Sequence, residues 1–265
     1  MTRLAIVGAG MMGEALATGL IESGWSGDDI VFADVVAERL RVVAQSLGVR
    51  TSENARDAAS SADGTLIAVK PQDAIAALRE LAGAIGSSGL VSIVAGLRTA
   101  KIEAALGDGA SVVRAMPNTP ARVGKGVTAL APGSEAGEAT SVLAEAVFSA
   151  VGPVVWLGEA ELDAVTALSG SGPAYVFLLA QAMIDAGIDL GLSREVAQTL
   201  VHETIEGAGR MLTQTGVDAA SLRKQVTSPG GTTEAAIRVL EDAGVRKLVI
   251  EAIAAAHRRS RELGA

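Results

Sequence analysis

The strongest constraint on this chain is a glycine spacing near its start. Leu4–Val7 is a short apolar run of strand type, and Gly8-Ala9-Gly10-Met11-Met12-Gly13 follows it directly. A helical pattern then runs over Glu14–Glu22. In strand, G-x-G-x-x-G and helix, the first glycine allows a tight turn. The second lets a pyrophosphate approach the backbone, and the third lets helix and strand pack closely. The helix N-terminus then offers free N–H groups to the phosphates. Among 31 glycines the spacing alone is weak. Its place directly after a strand separates it from an ordinary glycine-rich turn. Arg3 before the apolar run imitates a secretion signal, but Glu14 interrupts that run and the glycine spacing explains it better.

Residues 1 to about 156 alternate β-branched runs with helical patterns, which argues for a mostly parallel, doubly wound sheet. The strand candidates are Leu4–Val7, Ile30–Ala33, Leu66–Val69, Val91–Val94, Val112–Ala115, Val127–Leu130 and Val154–Leu157. Helical patterns cover Glu14–Glu22, Glu38–Ser46, Ala74–Leu81 and Glu138–Phe148. After Gly158 the pattern turns helical throughout, with helices expected at Pro173–Leu190, Arg194–Gln214, Glu234–Leu240 and Arg246–Arg261. The expected organisation is a dinucleotide-binding domain over 1–158 and an all-helical domain over 159–265. Gln181, Asp185 and Asp189 form a narrow polar stripe on the first of these helices, which is therefore expected to be buried over most of its girth. A helical domain of about 105 residues with so much apolar surface needs a partner subunit to cover it.

Composition narrows the chemistry. The chain has no cysteine, and His202 and His257 lie far apart, so neither a thiol nucleophile nor a metal site is expected. A net charge of −8 disfavours nucleic acid and anionic membranes as partners. The basic cluster His257-Arg258-Arg259 with Arg261 suits the last turns of a helix. No stretch reads as long and apolar enough to span a bilayer, so the cytoplasm is the expected location.

Further constellations lie at strand ends, where the crevice of a doubly wound sheet is expected. Asp34 ends the second strand and is placed to bond the adenosine ribose; a strand-end cap is the alternative. Arg39 and Arg41 lie just beyond and could reach a 2′-phosphate, which leaves both NADH and NADPH open. Val69-Lys70-Pro71 ends a third strand, with Lys70 facing a phosphate, a ribose or solvent. Ala95 follows the fourth strand and is counted with the cofactor contacts. In Met116-Pro117-Asn118-Thr119-Pro120, two prolines stiffen a loop from which Asn118 could face the nicotinamide. Ser169-Gly170-Ser171-Gly172-Pro173-Ala174-Tyr175 enters the most apolar helix, and its small residues allow close approach of a backbone or a ring. Val226-Thr227-Ser228-Pro229-Gly230-Gly231-Thr232-Thr233 gathers hydroxyls and backbone N–H groups at a helix N-terminus. That is a nest able to hold a small carboxylate without arginine; a plain N-cap is the alternative.

These motifs, in this order and at these distances, resemble the pyrroline-5-carboxylate reductase family from Leu4 to Leu263. The resemblance implies a Rossmann domain, an all-helical dimerisation domain, and dimers or larger homo-oligomers. It implies NADPH- or NADH-dependent reduction of 1-pyrroline-5-carboxylate to proline. It further implies that Ser228, Gly231, Thr232 and Thr233 hold the substrate, with Glu159 near it. Thr233 is the candidate catalytic residue, because its hydroxyl follows the nest and could orient the ring nitrogen. Gln225 is implied near the cofactor, and Asn54 resembles a ribose-contacting asparagine. Asp34 departs from the small residue common in the family.

Two other readings stand beside this one. A β-hydroxyacid dehydrogenase shares the layout, but its lysine and asparagine would fall at Val176 and Ala180, which cannot do acid–base work. A dinucleotide-sensing protein without catalysis would have no need of the Ser228–Thr233 nest.

Overall fold

Short apolar strands survive only where both faces of their sheet are covered. The computed structural model describes residues 2–85 and 89–264, and such strands form its first unit. Strands β1 (Leu4–Val7), β2 (Ile30–Ala33), β3 (Arg50–Ser52), β4 (Gly64–Ile67), β5 (Leu90–Ser92), β6 (Val112–Met116), β7 (Thr128–Pro132) and β8 (Val154–Trp156) make one eight-stranded sheet in the order 3-2-1-4-5-6-7-8. The first six are mutually parallel; β7 runs antiparallel to β6, and β8 parallel to β7. The order reverses at β1, which is the topological switch point where ligands of open α/β sheets bind.

Strand periodicity sends alternate residues of β1 into two cores. Leu4 and Ile6 pack with α1 (Met11–Glu22), α2 (Ala37–Leu47) and α6 (Glu138–Ser149) through Leu16, Leu20, Leu40 and Phe148. Ala5 and Val7 pack with α3 (Ala55–Ser60), α4 (Pro71–Leu81) and α5 (Thr99–Leu106) through Ala58, Leu78, Leu81 and Ile102. Helices thus cover both faces, as expected. The expected strand at Leu66–Val69 begins and ends two residues earlier, because Ala68 and Val69 belong to the turn before Pro71. Strand β3 and helices α3 and α5 are present without an expected counterpart in the sequence.

The chain then continues as one helical run, Glu159–Asp189. It comprises a 3₁₀ turn, α7 (Leu162–Val165), a π-helical turn (Thr166–Gly170) and α8 (Gly172–Asp189). The remaining helices are α9 (Arg194–Gln214), α10 (Ala219–Gln225), α11 (Thr232–Asp242) and α12 (Val245–Gly264). Two compact units result: residues 1–171 with 256–265, and residues 172–255. In the first unit the end of α12 is held by a buried network. The Ser260 hydroxyl donates to Asp163 Oδ1 at 2.7 Å, Arg98 Nη2 lies 3.7 Å from Asp163 Oδ2, and Arg98 Nε donates to the Gly264 carbonyl at 3.2 Å.

In the second unit α8 and α9 meet through Ile184, Ala197 and Val201, with Gly187 allowing the close approach. Two expectations are corrected here. Alone, α8 buries only Ile184, while Phe177, Leu178 and Leu179 are exposed, so the single chain does not enclose this helix. Moreover, the 31-residue run Glu159–Asp189 contains a stretch long and apolar enough to cross a membrane by length and composition. The run's acidic residues lie at its two ends, and between Ala164 and Ile184 the interspersed Ser, Gly, Pro and Gln make the apolar character hard to see in the sequence.

Thr65 on β4 is wholly buried, and its hydroxyl lacks a hydrogen-bond partner among the described residues. Replacing it with the similarly shaped valine removes that unpaired group. Thr65→Val is expected to raise unfolding stability by roughly 1 to 2 kcal/mol in urea melts. An unchanged or lower midpoint would mean that the hydroxyl is satisfied.

Candidate functional site

Because β1 to β6 are parallel, their carboxyl ends share one edge of the sheet. Gly8–Gly13 follows β1, Asp34 follows β2, Val69–Pro71 lies just past β4, Ala95 follows β5 and Asn118 follows β6. The first unit therefore gathers these expected cofactor residues along one edge. Gly8 has φ +111, and a β-carbon there would stand 2.7 Å from the Ala68 carbonyl. A β-carbon on Gly13 would stand 2.5 Å from the Gly8 carbonyl oxygen. Gly10, in contrast, faces open space, with no protein atom within 4 Å of such a carbon. Gly10 is the N-cap of α1 and supplies no capping side chain, so the first-turn N–H groups remain available. Two glycines required by packing and one required by nothing in the protein form a cradle that fits a pyrophosphate.

Asp34 is built into this loop. Its Oδ2 accepts from the Ala9 N–H at 2.7 Å and its Oδ1 from the Val36 N–H at 2.9 Å. Both oxygens keep lone pairs for ribose hydroxyls. Arg41 turns away, bonding both Glu38 oxygens and Gln45. The hydrogen bond and then the charge of Arg41 hold the Glu38 carboxyl below its usual value. Arg39 is exposed on the first turn of α2 and forms no ion pair among the described residues.

Other expected residues carry internal duties. Asn54 caps α3, its Oδ1 accepting from the Arg56 and Asp57 N–H groups at 2.8 and 3.1 Å, which leaves its NH₂ end. Lys70 is exposed at the N-cap of α4, with Pro71 in the first turn. The Asn118 amide is engaged within the fold by Val127 and Ser169. The Glu159 carboxylate accepts from the Thr99 N–H at 2.7 Å and the Thr99 hydroxyl at 2.9 Å, and pairs with Arg114 at 3.2 Å. Arg114 is buried within β6 and was not singled out from the sequence. The only sign of it was a charge inside the apolar run Val112–Ala115.

The nest lies in the second unit. Ser228-Pro229-Gly230-Gly231 forms a turn closed by the Gly231 N–H on the Ser228 carbonyl at 3.0 Å, with Gly230 at φ +70. Proline and then a left-handed glycine are what a type II turn requires. Gly231 is the N-cap of α11 without a capping side chain, so the N–H groups of Thr232 and Thr233 stay open. The Glu234 side chain reaches back to the Gly230 N–H at 2.8 Å and removes that donor from the nest. Thr227 donates its hydroxyl to the Arg223 carbonyl at 2.7 Å. The Thr233 hydroxyl is half-buried and has no partner among the described residues. Gln225 ends α10, exposed, just before the turn. Arg223 is paired with Glu241 at 2.8 Å, so its charge is already balanced.

A family model described as pyrroline-5-carboxylate reductase dimerisation matches residues 159–263, and one described as NADP oxidoreductase, coenzyme F420-dependent, matches residues 3–96. The chain is 42% identical to a pyrroline-5-carboxylate reductase of Mycobacterium tuberculosis, over 99% of this chain and 97% of that one. Among solved structures it resembles a pyrroline-5-carboxylate reductase from Coxiella burnetii, with 37% identity, a TM-score of 0.94 and coverage of 100% and 99%. It also resembles the Plasmodium falciparum pyrroline carboxylate reductase with NADP bound, with 29% identity, a TM-score of 0.90 and coverage of 100% and 98%.

The glycine contacts predict two different phenotypes. Gly10→Ala should leave thermal stability unchanged and weaken dinucleotide binding at least about tenfold, because its methyl would occupy the pyrophosphate's place. Gly13→Ala should weaken binding too, but also lower stability by about 1 to 3 kcal/mol through overpacking. Calorimetric titration and thermal melts separate the two. Undiminished binding by Gly10→Ala would show that phosphates do not lie over this turn.

Proposed function

Because the chain belongs to the pyrroline-5-carboxylate reductase family, we propose that it reduces 1-pyrroline-5-carboxylate to L-proline. The observation that carries this reading is a pair of helix N-termini of different form, both left without a capping side chain. The Gly8–Gly13 cradle suits a dinucleotide pyrophosphate, and the Gly231–Thr233 nest suits a small carboxylate. When bound, reduced NAD or NADP supplies a hydride to the carbon of the C=N bond.

Residues 1–158 serve as the dinucleotide domain and 159–265 as the dimerisation and substrate domain. Gly8, Ala9, Gly10, Met11, Met12 and Gly13 hold the pyrophosphate. Asp34 and Asn54 hold the ribose. Val69, Lys70, Pro71 and Ala95 border the crevice, and Gln225 completes the cofactor contacts. Ser228, Gly231, Thr232 and Thr233 take the substrate. Glu159 assists from its network with Thr99 and Arg114. The Thr233 hydroxyl orients the ring nitrogen, and protons reach it through water, since a threonine hydroxyl is too weak an acid to protonate nitrogen alone. A protonated imine is already a strong electrophile, so positioning and exclusion of water are the main tasks left to the protein. The apolar surface of α8 is covered by a second copy of the chain rather than by lipid, which gives a soluble homodimer or larger assembly in the cytoplasm. Acid–base chemistry on a hydroxyacid has no support, because Val176 and Ala180 stand where its residues would be.

Asp34 repels a 2′-phosphate unless Arg39 or Arg41 offsets it, and Arg41 is tied to Glu38. NADH is therefore expected to serve at least comparably to NADPH. Asp34→Ser should shift the ratio of kcat/KM values toward NADPH, with some loss for both cofactors because the bonds to Ala9 and Val36 are disturbed. An unchanged ratio would mean that Asp34 does not face the ribose.

Thr233→Ala should lower kcat/KM for pyrroline-5-carboxylate by roughly tenfold to a thousandfold, about 1.4 to 4 kcal/mol, with cofactor affinity little changed. Thr233→Ser should keep most activity. Full activity in Thr233→Ala would leave the hydroxyl without a part in the reaction.

A further inference from the structure

Asn118 stands at a junction. The 3₁₀ turn that begins after it, Thr119–Val123, packs against α1, the helix that carries the Gly8–Gly13 cradle. The Asn118 side chain points elsewhere and is only 9% exposed. Its Oδ1 accepts from the Val127 N–H at 2.9 Å, and its Nδ2 donates to the Ser169 carbonyl at 3.2 Å. These partners fix the orientation of the amide, since only its NH₂ end can face a carbonyl. Ser169 lies in the π-helical turn Thr166–Gly170, closed by the Ser171 N–H on the Thr166 carbonyl at 2.8 Å. Turns of this kind are rare and occur frequently at functional sites.

The reason for the bond lies in the sequence. A helical carbonyl normally accepts from the N–H four residues on. For Ser169 that residue is Pro173, which has no N–H. Asn118 supplies the donor that Pro173 lacks. The end of β6, just before this loop, also touches the turn, for a methyl on Gly170 would stand 2.5 Å from Met116 Cε.

We infer that Asn118 is a positioning residue for hydride transfer, acting through Ser169 to hold the π-turn in register with the loop that buttresses the cofactor-bearing helix. This rests on the functional reading above. It differs from a direct nicotinamide contact, because the amide is already engaged within the protein. Asn118→Asp keeps the acceptor for Val127 but sets a carboxylate oxygen against the Ser169 carbonyl. Asn118→Ala removes both bonds without burying a charge, and serves if the aspartate variant fails to fold. Pro173→Ala restores a backbone donor to Ser169.

The test combines stopped-flow single turnover, the primary deuterium isotope effect from 4-deuterated cofactor, cofactor titration and thermal melts. The Asn118 variants should lose about tenfold to a hundredfold in the hydride-transfer rate, as a misplacement of the reactants would give. The isotope effect on kcat should rise, and cofactor Kd should stay within about threefold. Adding Pro173→Ala should recover part of the lost rate. Loss of cofactor affinity in step with kcat/KM overturns the proposal in favour of direct contact. An unchanged hydride rate with only a lower melting temperature overturns it in favour of a purely structural brace. Failure of the unsubstituted chain to turn over pyrroline-5-carboxylate overturns the functional reading, and with it this proposal.

Discussion

The close approach of the first turn to its neighbours governs the cofactor edge of this molecule. With Gly8 against the Ala68 backbone and Gly13 against the Gly8 carbonyl, no side chain fits between β1, α1 and the end of β4. That contact lets α1 start directly above the sheet, with its first N–H groups uncapped and open. It also brings the Ala9 N–H onto Asp34, so that the ends of β1 and β2 become one continuous surface. A helix start free of side chains and capping groups, set beside the switch point, follows from this packing.

Farther from the turn, the first unit is tied by polar clamps that apolar packing alone would not specify. Glu159 joins the start of α5 to the buried Arg114 of β6. Asp163 receives Ser260 and lies beside Arg98, which fixes the last turns of α12 to segments of the same unit far away in sequence. Buried ion pairs of this kind add little net stability compared with apolar substitutes, though breaking one partner is costly. Here they join segments far apart in sequence, with Arg114 and Asp163 buried and Arg98 partly exposed. The Asn118 bridge works in the same way with neutral groups, matching a side-chain donor to a carbonyl that proline leaves without one.

Much of this was legible in the sequence where periodicity or glycine chemistry is strong. The buried strands and helix Arg194–Gln214 could be read because apolar runs and polar stripes set their limits. Strand β3 escaped because Arg50-Thr51-Ser52 is polar and lies on the sheet's edge, where no apolar pattern is needed. Helices α3, α5 and α10 span only 6, 8 and 7 residues, too few turns to show a stripe. In the candidate site, the G-x-G-x-x-G cradle and the Ser228–Thr233 nest followed from local backbone chemistry. The partners of Glu159 and the Ser169 partner of Asn118 did not, since those contacts join residues 45 to 60 positions apart and carry no local signature. Surface burial was the hardest to read. A helix as apolar as α8 looks like a core element, yet in the single chain it lies open.

The central claim is that this chain delivers a hydride to the carbon of a cyclic imine. Incubation of the purified protein with 1-pyrroline-5-carboxylate and 4,4-dideuterated NADH or NADPH, followed by mass spectrometry of the product, tests it most directly. The account predicts proline carrying a single deuterium on the ring carbon bonded to nitrogen opposite the carboxylate-bearing carbon, formed in step with cofactor oxidation. Cofactor binding without labelled proline, or proline without the label, would contradict it.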